Sequence, residues 1–376
     1  MTRLTPRPRR WSRHNVEMRL LHRWIVATLA ALVPSLAAAD GDVWATPPFT
    51  DPLRVGSLPL DAAAARELAG GEWSLVAGWS YFNTWSGSWH TGTIHHELGR
   101  DGQPLQEDEL RLLESRHPGD EIYRFDLQGW RADLTGAVGL GRGLVATLQV
   151  PRYGVGTPHW DAVATDFHAA FNFSNSRREW FPRGQTVVYA RGRGGTVEAW
   201  DELRTETWGD ASLSLAGGGG HWLGASHRWV MALEAPLGDE GTIGGSGGWD
   251  SGLRWFATWG SGRRQLRAGA GYTWLDGGGS FLGARRSDTW HLEAAARVPL
   301  SAALDLRVSG RLDSSPLSAL SNAAPGDPSF YLALGIRAPL GADSWIAFDV
   351  GDNYPISGVA PDFSFHLQLG AVVGQH

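Results

Sequence analysis

Cysteine and lysine are both absent from this 376-residue sequence, and each absence narrows the range of functions. Without cysteine the chain forms no disulfides and offers no thiol nucleophile or thiolate metal ligand. Without lysine, all 33 basic residues are arginine. Long apolar runs are also scarce, and the mean hydropathy is only -0.23. These values exclude a helical membrane protein with several spans, but they allow a β-barrel, whose polar inner face offsets its apolar outer face.

The N-terminus has the features of an export signal. Arginines precede a short apolar core at 25–36, and the alanines at 37–39 supply a cleavage site of small residues. We therefore predict a signal peptide at 1–39, with Met18 as the translation start; an uncleaved N-terminal anchor is the alternative. Cleavage removes seven Arg and one Glu and leaves 26 basic and 38 acidic residues, a net charge of -12. Such a charge argues against a nucleic-acid partner.

The second half of the chain alternates apolar and polar residues. Leu266, Ala268 and Tyr272 point one way, whereas Arg267 and Thr273 point the other. Repeated segments of about ten such residues, bounded by turn residues, are typical of a transmembrane β-barrel. Strands are predicted at 73–85, 121–138, 143–150, 205–216, 227–237, 250–259, 265–274, 288–300, 304–312, 329–340, 344–350 and 362–373. We predict an all-β, antiparallel barrel of about 12 strands, with 10–14 as the range.

The links between the predicted strands alternate in length. Short links at 260–264, 301–303 and 340–343 alternate with long links at 275–287, 313–328 and 351–361. Outer-membrane barrels have short periplasmic turns and long external loops, so both chain ends are expected in the periplasm. The glycine-rich link at 217–226 fits this scheme poorly, because it should be periplasmic and yet is long.

The domain organisation follows from these assignments. We predict a periplasmic leader at 40–72 and an outer-membrane barrel at 73–376, interrupted by an insert at 151–204. The location is the outer membrane of a Gram-negative-type bacterium, reached through the signal peptide. Tryptophans near the strand ends favour this interpretation over a soluble sandwich, because such rings occupy the headgroup level. They are Trp73, Trp85, Trp229, Trp259, Trp274, Trp290 and Trp345.

The insert contains the segment least like a barrel wall. Apolar residues recur at helical spacing from Trp160 to Phe171, which predicts about three turns of helix. Within it, the run Asp166, Phe167, His168 is followed by Ala-Ala-Phe and then by Arg177 or Arg178. This region resembles the hallmark of a family catalogued as a domain of unknown function, DUF3187, whose members resemble exported outer-membrane barrels. The resemblance implies the location and the fold, and it implies no activity.

His168 supports two interpretations. With Ser174 or Ser176 as nucleophile and Asn172 or Asn175 as orienting group, it supplies the residue types of a barrel hydrolase acting on acylated lipids. The favoured interpretation is that His168 and Arg177 hydrogen-bond to carboxylates in the lumen and fix a plug or lid.

Two further groups of polar residues bear on function. His90, His95, His96 and Glu97 could hold a metal ion, but a solvated loop is favoured, and we predict neither a metal nor a cofactor. Residues on the polar strand faces could either pair and close the lumen or line a water-filled path. They are Arg267, Glu293, Arg297, Arg307, Arg311, Arg337, Asp349, His366 and Gln368.

The leading hypothesis is a channel or transporter for small molecules, with the helix as plug or constriction. Its candidate plug and lumen residues are Asp166, Phe167, His168, Arg177, Arg178, Arg297, Arg307 and Arg337. The hydrolase and a structural or docking barrel, with partner-binding loops at 86–120 and 313–328, are the alternatives. Expected partners are outer-membrane lipid, the barrel-assembly machinery and an unidentified small solute.

Overall fold

The computed structural model describes residues 68–374 with gaps in several links. The gaps are 104–105, 157–159, 172–177, 179–180, 182, 184–185, 192–196, 202–204, 239–244, 277–279, 282–283, 286, 317–325, 342 and 355–362. The predicted signal peptide and most of the predicted leader therefore lie outside the described residues. No helix among the described residues is long and apolar enough to cross a membrane.

The described chain forms seventeen strands and three short helices. The strands are β1 (Trp73–Gly87), β2 (Ile122–Gly141), β3 (Leu144–Val155), β4 (Val187–Arg191), β5 (Val197–Asp201), β6 (Thr205–Trp208), β7 (Ala211–Trp222), β8 (Ala225–Ala235), β9 (Asp250–Ser261), β10 (Arg264–Trp274), β11 (Ser280–Phe281), β12 (Ala284–Arg285), β13 (Thr289–Ser301), β14 (Leu304–Asp313), β15 (Ser329–Pro339), β16 (Ser344–Tyr354) and β17 (Phe363–Val373). The helices are α1 (Trp89–Glu97), α2 (Glu107–Arg116) and α3 (Asp161–Phe171).

Twelve of the strands form a closed antiparallel barrel. They are β1–β3, β7–β10 and β13–β17, and each pairs with the next one along the chain. β1 and β17 close the ring, with a register that runs from Trp73 opposite Val373 to Asn83 opposite Phe363. The closure leaves the ring without a free edge, as a strand-built wall in lipid requires. The predicted fold class and strand number are confirmed.

The strand links separate the two ends of the barrel. Five short turns lie at one end, after β2, β7, β9, β13 and β15, and the first and last barrel strands also have their outer chain ends there. Six longer links lie at the other end. Following the usual arrangement, we refer to these as the periplasmic end and the external end.

One sequence prediction about the links is wrong. The glycine-rich segment at 217–226 is not a long link, because β7 continues through it to Trp222 and β8 begins at Ala225. The glycines form a β-bulge between Gly218 and Gly220, and the turn itself holds only Leu223 and Gly224, both at positive φ. A glycine run thus marks an irregular strand here.

The outer surface of the barrel is apolar. Large side chains at outward positions are exposed all around the ring: Leu75, Leu134, Leu148, Leu213, Leu233, Leu292, Leu334, Phe348 and Leu369. Exposed tryptophans flank this band, with Trp73, Trp222 and Trp229 at the periplasmic end and Trp208, Trp274 and Trp290 at the external end. A band between two aromatic girdles is the surface of a membrane-spanning barrel.

Two of the predicted girdle tryptophans have other roles. Trp345 lies on the inward face of β16 and is buried with Ala347, Val76 and Val372. Trp85 lies on an outward position of β1 but is buried beneath other side chains. A position near a strand end therefore does not show whether a tryptophan points into or out of the barrel. It also does not show whether other side chains cover an outward tryptophan.

Extra elements surround the external end. β4 continues the sheet beyond β2 and pairs with β5, while β6 pairs with the end of β3. The polar stretch at 86–120, expected to be loop, contains α1 and α2, which pack together through Ile94 and Leu113. We call these two helices the helical cap.

Candidate functional site

Helix α3 lies on the outer face of the barrel. Along β1, exposed Leu75 points outward, and Tyr81, Asn83 and Trp85 share its parity and therefore its face. All three are buried because α3 and the segment after it cover them. The predicted plug in the lumen is therefore wrong for this helix, which covers the wall from outside near the external end.

Aromatic stacking holds the start of the helix to the wall. The ring of Trp160, immediately before α3, lies 5.0 Å from the ring of Phe365 and 5.2 Å from that of Tyr81. Further along the helix, the ring of Phe167 lies 5.1 Å from that of Phe363. Phe363 and Phe365 are outward residues of β17, so these contacts extend the apolar outer surface into a packed layer.

Buried charges connect the helix to β2. The guanidinium of Arg178 lies 2.8 Å from the carboxylate of Asp161 and 3.2 Å from that of Asp126. Asn83 donates a hydrogen bond of 2.9 Å to Asp161, and Arg178 stacks over the ring of Trp85. We call Arg178, Asp161, Asp126 and Asn83 the outer-wall cluster. Sequence reasoning identified Arg178 but missed its two carboxylates.

The remaining residues of the predicted plug occupy different environments. His168 is buried, and its Nε2 lies 3.5 Å from a carboxylate oxygen of Asp352 on β16. A carboxylate partner was predicted, but Asp352 belongs to the outer face and not to the lumen. Asp166 is exposed and Phe167 is half-buried. Ser174 and Arg177 lie outside the described residues, so the hydrolase constellation stays a prediction.

Buried ion pairs occupy inward positions of the barrel strands. Arg254, which points inward, contacts Glu293. Arg297 Nη2 lies 2.5 Å from Asp305 Oδ2, and Arg307 Nη1 lies 3.2 Å from Asp349 Oδ2. On β2, at another part of the ring, the guanidinium of Arg131 lies 2.6 Å from the carboxylate of Asp133 on the same strand. Each of these eight side chains is at most 7% exposed. The predicted pairing of these charges is seen, between positions on the same strand or on nearby strands of the wall.

The charges of the lumen are unevenly distributed along its axis. Within five positions of the periplasmic strand ends, the inward charged residues of the described strands are five arginines and two aspartates. The arginines are Arg228, Arg267, Arg297, Arg307 and Arg337, and the aspartates are Asp305 and Asp349. Further out, acidic residues outnumber arginines, with Asp133, Glu234, Asp250, Glu293 and Asp313 against Arg131, Arg254 and Arg311. We call the five arginines near the periplasmic end the arginine row.

The arginine row occupies one side of the barrel. Its members come from β8, β10, β13, β14 and β15, which are neighbours in the ring apart from β9 between β8 and β10. The guanidinium of Arg267 stacks over Phe256 at 4.8 Å. Arg337 stacks over Trp345 at 5.0 Å. Aromatic faces therefore help to hold these cations in the lumen.

The helical cap divides the predicted histidine cluster. His95 is buried and pairs with Glu109 at 2.7 Å, whereas His96 pairs with Asp101 at the surface. Burial raises the pKa of Glu109, but hydrogen bonding to His95 and to the Gln106 backbone outweighs it and holds that pKa below its usual value. Glu109 thus stays an anion that binds α1 to α2. The predicted cluster does not form one site.

Comparisons with known proteins reach solved structures only. No family model and no curated protein sequence matches the chain. An outer membrane channel from Pseudomonas putida F1 is 12% identical with a TM-score of 0.48, covering 81% of this chain and 97% of that one. The toluene transporter TodX of P. putida is 10% identical with a TM-score of 0.36, covering 91% and 97%. A Pseudomonas aeruginosa FadL homologue is 10% identical with a TM-score of 0.36, covering 90% and 100%.

These likenesses assign no function to this chain, because every TM-score is below 0.5. The barrel assignment comes instead from the strand pairing and its closure. The resemblance to DUF3187 stays a prediction.

Proposed function

We propose that this protein is an outer-membrane channel for small anionic molecules, with the barrel lumen as their path. The observation that carries the proposal is the arginine row, five inward arginines against two aspartates in the periplasmic part of the lumen. Placement in the outer membrane is supported by the apolar band, its tryptophan girdles and the export signal.

An excess of arginine in a narrow lumen favours anions for two reasons. The low-dielectric wall strengthens the attraction between a fixed cation and a passing anion. The planar guanidinium also donates two parallel hydrogen bonds to a carboxylate or phosphate, which orients such a solute. The uneven count of charges therefore selects for negative charge at the periplasmic part of the path.

A separate ion pair in the lumen, Arg254 with Glu293, acts as the gate. Arg254 on β9 and Glu293 on β13 meet on the inner face of the wall, each at the fifth residue from the external end of its strand, and both are buried. Passage therefore requires these side chains to rearrange, and an anion that binds arginine replaces the carboxylate partner that the arginine gives up. This rearrangement exchanges the ion-pair partners of the side chains and leaves the barrel strands in place.

The test is ion selectivity in a planar bilayer. The purified barrel in a salt gradient is expected to give a reversal potential on the anion side. Replacing Arg267, Arg307 and Arg337 together with glutamine should move that potential toward cations, because two arginines then stand against two aspartates and the excess of positive charge in the periplasmic lumen is gone. Arg264→Gln is the matched control, since Arg264 lies at the start of β10 but is exposed. An unchanged potential in the triple variant would reject the proposal.

A further inference from the structure

The helical cap carries a group of ligands that the proposed channel does not use. His90 is the second residue of α1, His117 directly follows α2, and Asp120 lies two residues before β2. The two imidazole rings stack with centroids 3.9 Å apart and planes at 29°. His90 Nε2 lies 3.8 Å from Asp120 Oδ2, and His117 Nδ1 lies 3.4 Å from the same oxygen. The start of α1 and the link between α2 and β2 thus converge on one point.

We propose that His90, His117 and Asp120 bind one divalent transition-metal ion at the external surface. Their donor atoms lie within 4.8 Å of one another. A tetrahedral zinc ion with bonds of about 2.0–2.1 Å separates its ligand atoms by roughly 3.3 Å, so small side-chain rotations would close the site. Two imidazoles and a carboxylate suit zinc, nickel or copper better than magnesium or calcium. The remaining coordination position is left to water.

The backbone around two of the ligands is held in place. Arg191 on β4 donates hydrogen bonds to the carbonyl oxygens of His117 and Asp120, the shorter one at 2.5 Å. Gly119 between them has a φ of +82°, which lets the chain turn tightly and return Asp120 toward His117. These contacts use carbonyl groups and leave the side-chain donors available, so the site is preorganised before an ion arrives.

The other cap histidines offer fewer ligands. His95 is buried against Glu109, and exposed His96 contacts Asp101, so each of these histidines has one carboxylate partner and no second imidazole beside it in these contacts. Within the part of the chain that the structure describes, His90, His117 and Asp120 are the group with metal-binding geometry. A bound ion would link the start of α1 to the approach to β2, and so fasten the helical cap to the barrel rim.

The site can be tested by titrating the full-length, untagged barrel in detergent with zinc chloride in a calorimeter. Binding of one ion per chain is expected. His117→Ala and His90→Ala should each weaken zinc affinity by at least about 100-fold, since loss of a ligand costs more than the loss of a group that only orients one. His96→Ala is the matched control and should bind as the parent does. The fold of each variant is checked by its heat-modifiable mobility on gels.

Three results would overturn the proposal: no zinc binding by the parent, equal binding by the double variant His90→Ala/His117→Ala, or a loss of binding in His96→Ala as large as in His117→Ala. Zinc binding that raises the protease resistance of residues 86–120 in the parent, and not in the double variant, would support it. None of these results depends on whether the barrel conducts ions.

Discussion

Replacing Arg178 with alanine is expected to lower the free energy of unfolding by about 3–5 kcal/mol, because it leaves buried carboxylates without their cation. Asp126 and Asp161 both lie against Arg178, and both are almost fully buried. The repulsion between them would then act across a dry interface between the barrel wall and α3. We expect α3 to separate from the wall before the barrel itself unfolds, since the ring of strands is closed without it.

Two measurements check this expectation. Urea unfolding in detergent gives the free energy, and limited proteolysis between 156 and 186 reports release of the helix. Arg183→Ala is the matched control, because Arg183 belongs to the same segment but is exposed. The double variant Asp126→Asn/Asp161→Asn in the Arg178→Ala background should recover part of the loss. A change below about 1 kcal/mol, the range of exposed ion pairs, would contradict the burial of the cluster.

Removing the ion pair between Arg254 and Glu293 is expected to open the path. Arg254 is the largest of the fully buried side chains among the described residues, and its partner Glu293 lies beside it. The double variant Arg254→Ala/Glu293→Ala removes both charges together, so no unpaired charge stays buried. Single-channel conductance should roughly double, because the narrowest cross-section limits the current.

The control for the lumen variant lies on the same strand. Leu292 is adjacent to Glu293 but points outward and is exposed to lipid. Leu292→Ala should therefore leave the conductance unchanged. If the double variant conducts as the parent does, the narrowest part of the path is not at this pair, and the gate would have to be reassigned.

The barrel could be predicted from the sequence because its main signal is local. The face on which Arg267 lies follows from its two neighbours, Leu266 and Ala268, because successive residues of a strand point to opposite faces. No knowledge of distant contacts is needed. The same parity indicated the inward positions of Arg297, Arg307 and Arg337, and all three are buried in the lumen. Arg254 has the same inward parity on β9 but was missed, because the next inward residue, Phe256, is apolar and interrupts the polar face.

The side of the wall on which α3 lies could not be predicted by helical spacing. The helix buries Asp161, Ala164 and His168, while Val163 and Phe171 stay exposed. A stripe of apolar residues normally faces the protein, but exposed apolar residues are tolerated at a membrane surface. A usable signal was present on the strands, since Asp126 and Asn83 occupy lipid-side positions and would not face lipid uncovered.

The central claim, that anions pass through the lumen along the arginine row, is tested most directly by a single introduced cysteine. The parent has none, so one cysteine gives one attachment point. Arg267→Cys is treated with a negatively charged thiosulfonate during bilayer recording, and Leu292→Cys serves as the lipid-facing control. We predict that labelling Arg267→Cys lowers the current and moves selectivity toward cations, while labelling Leu292→Cys changes neither. A fully labelled Arg267→Cys protein with unaltered current and selectivity would contradict the account.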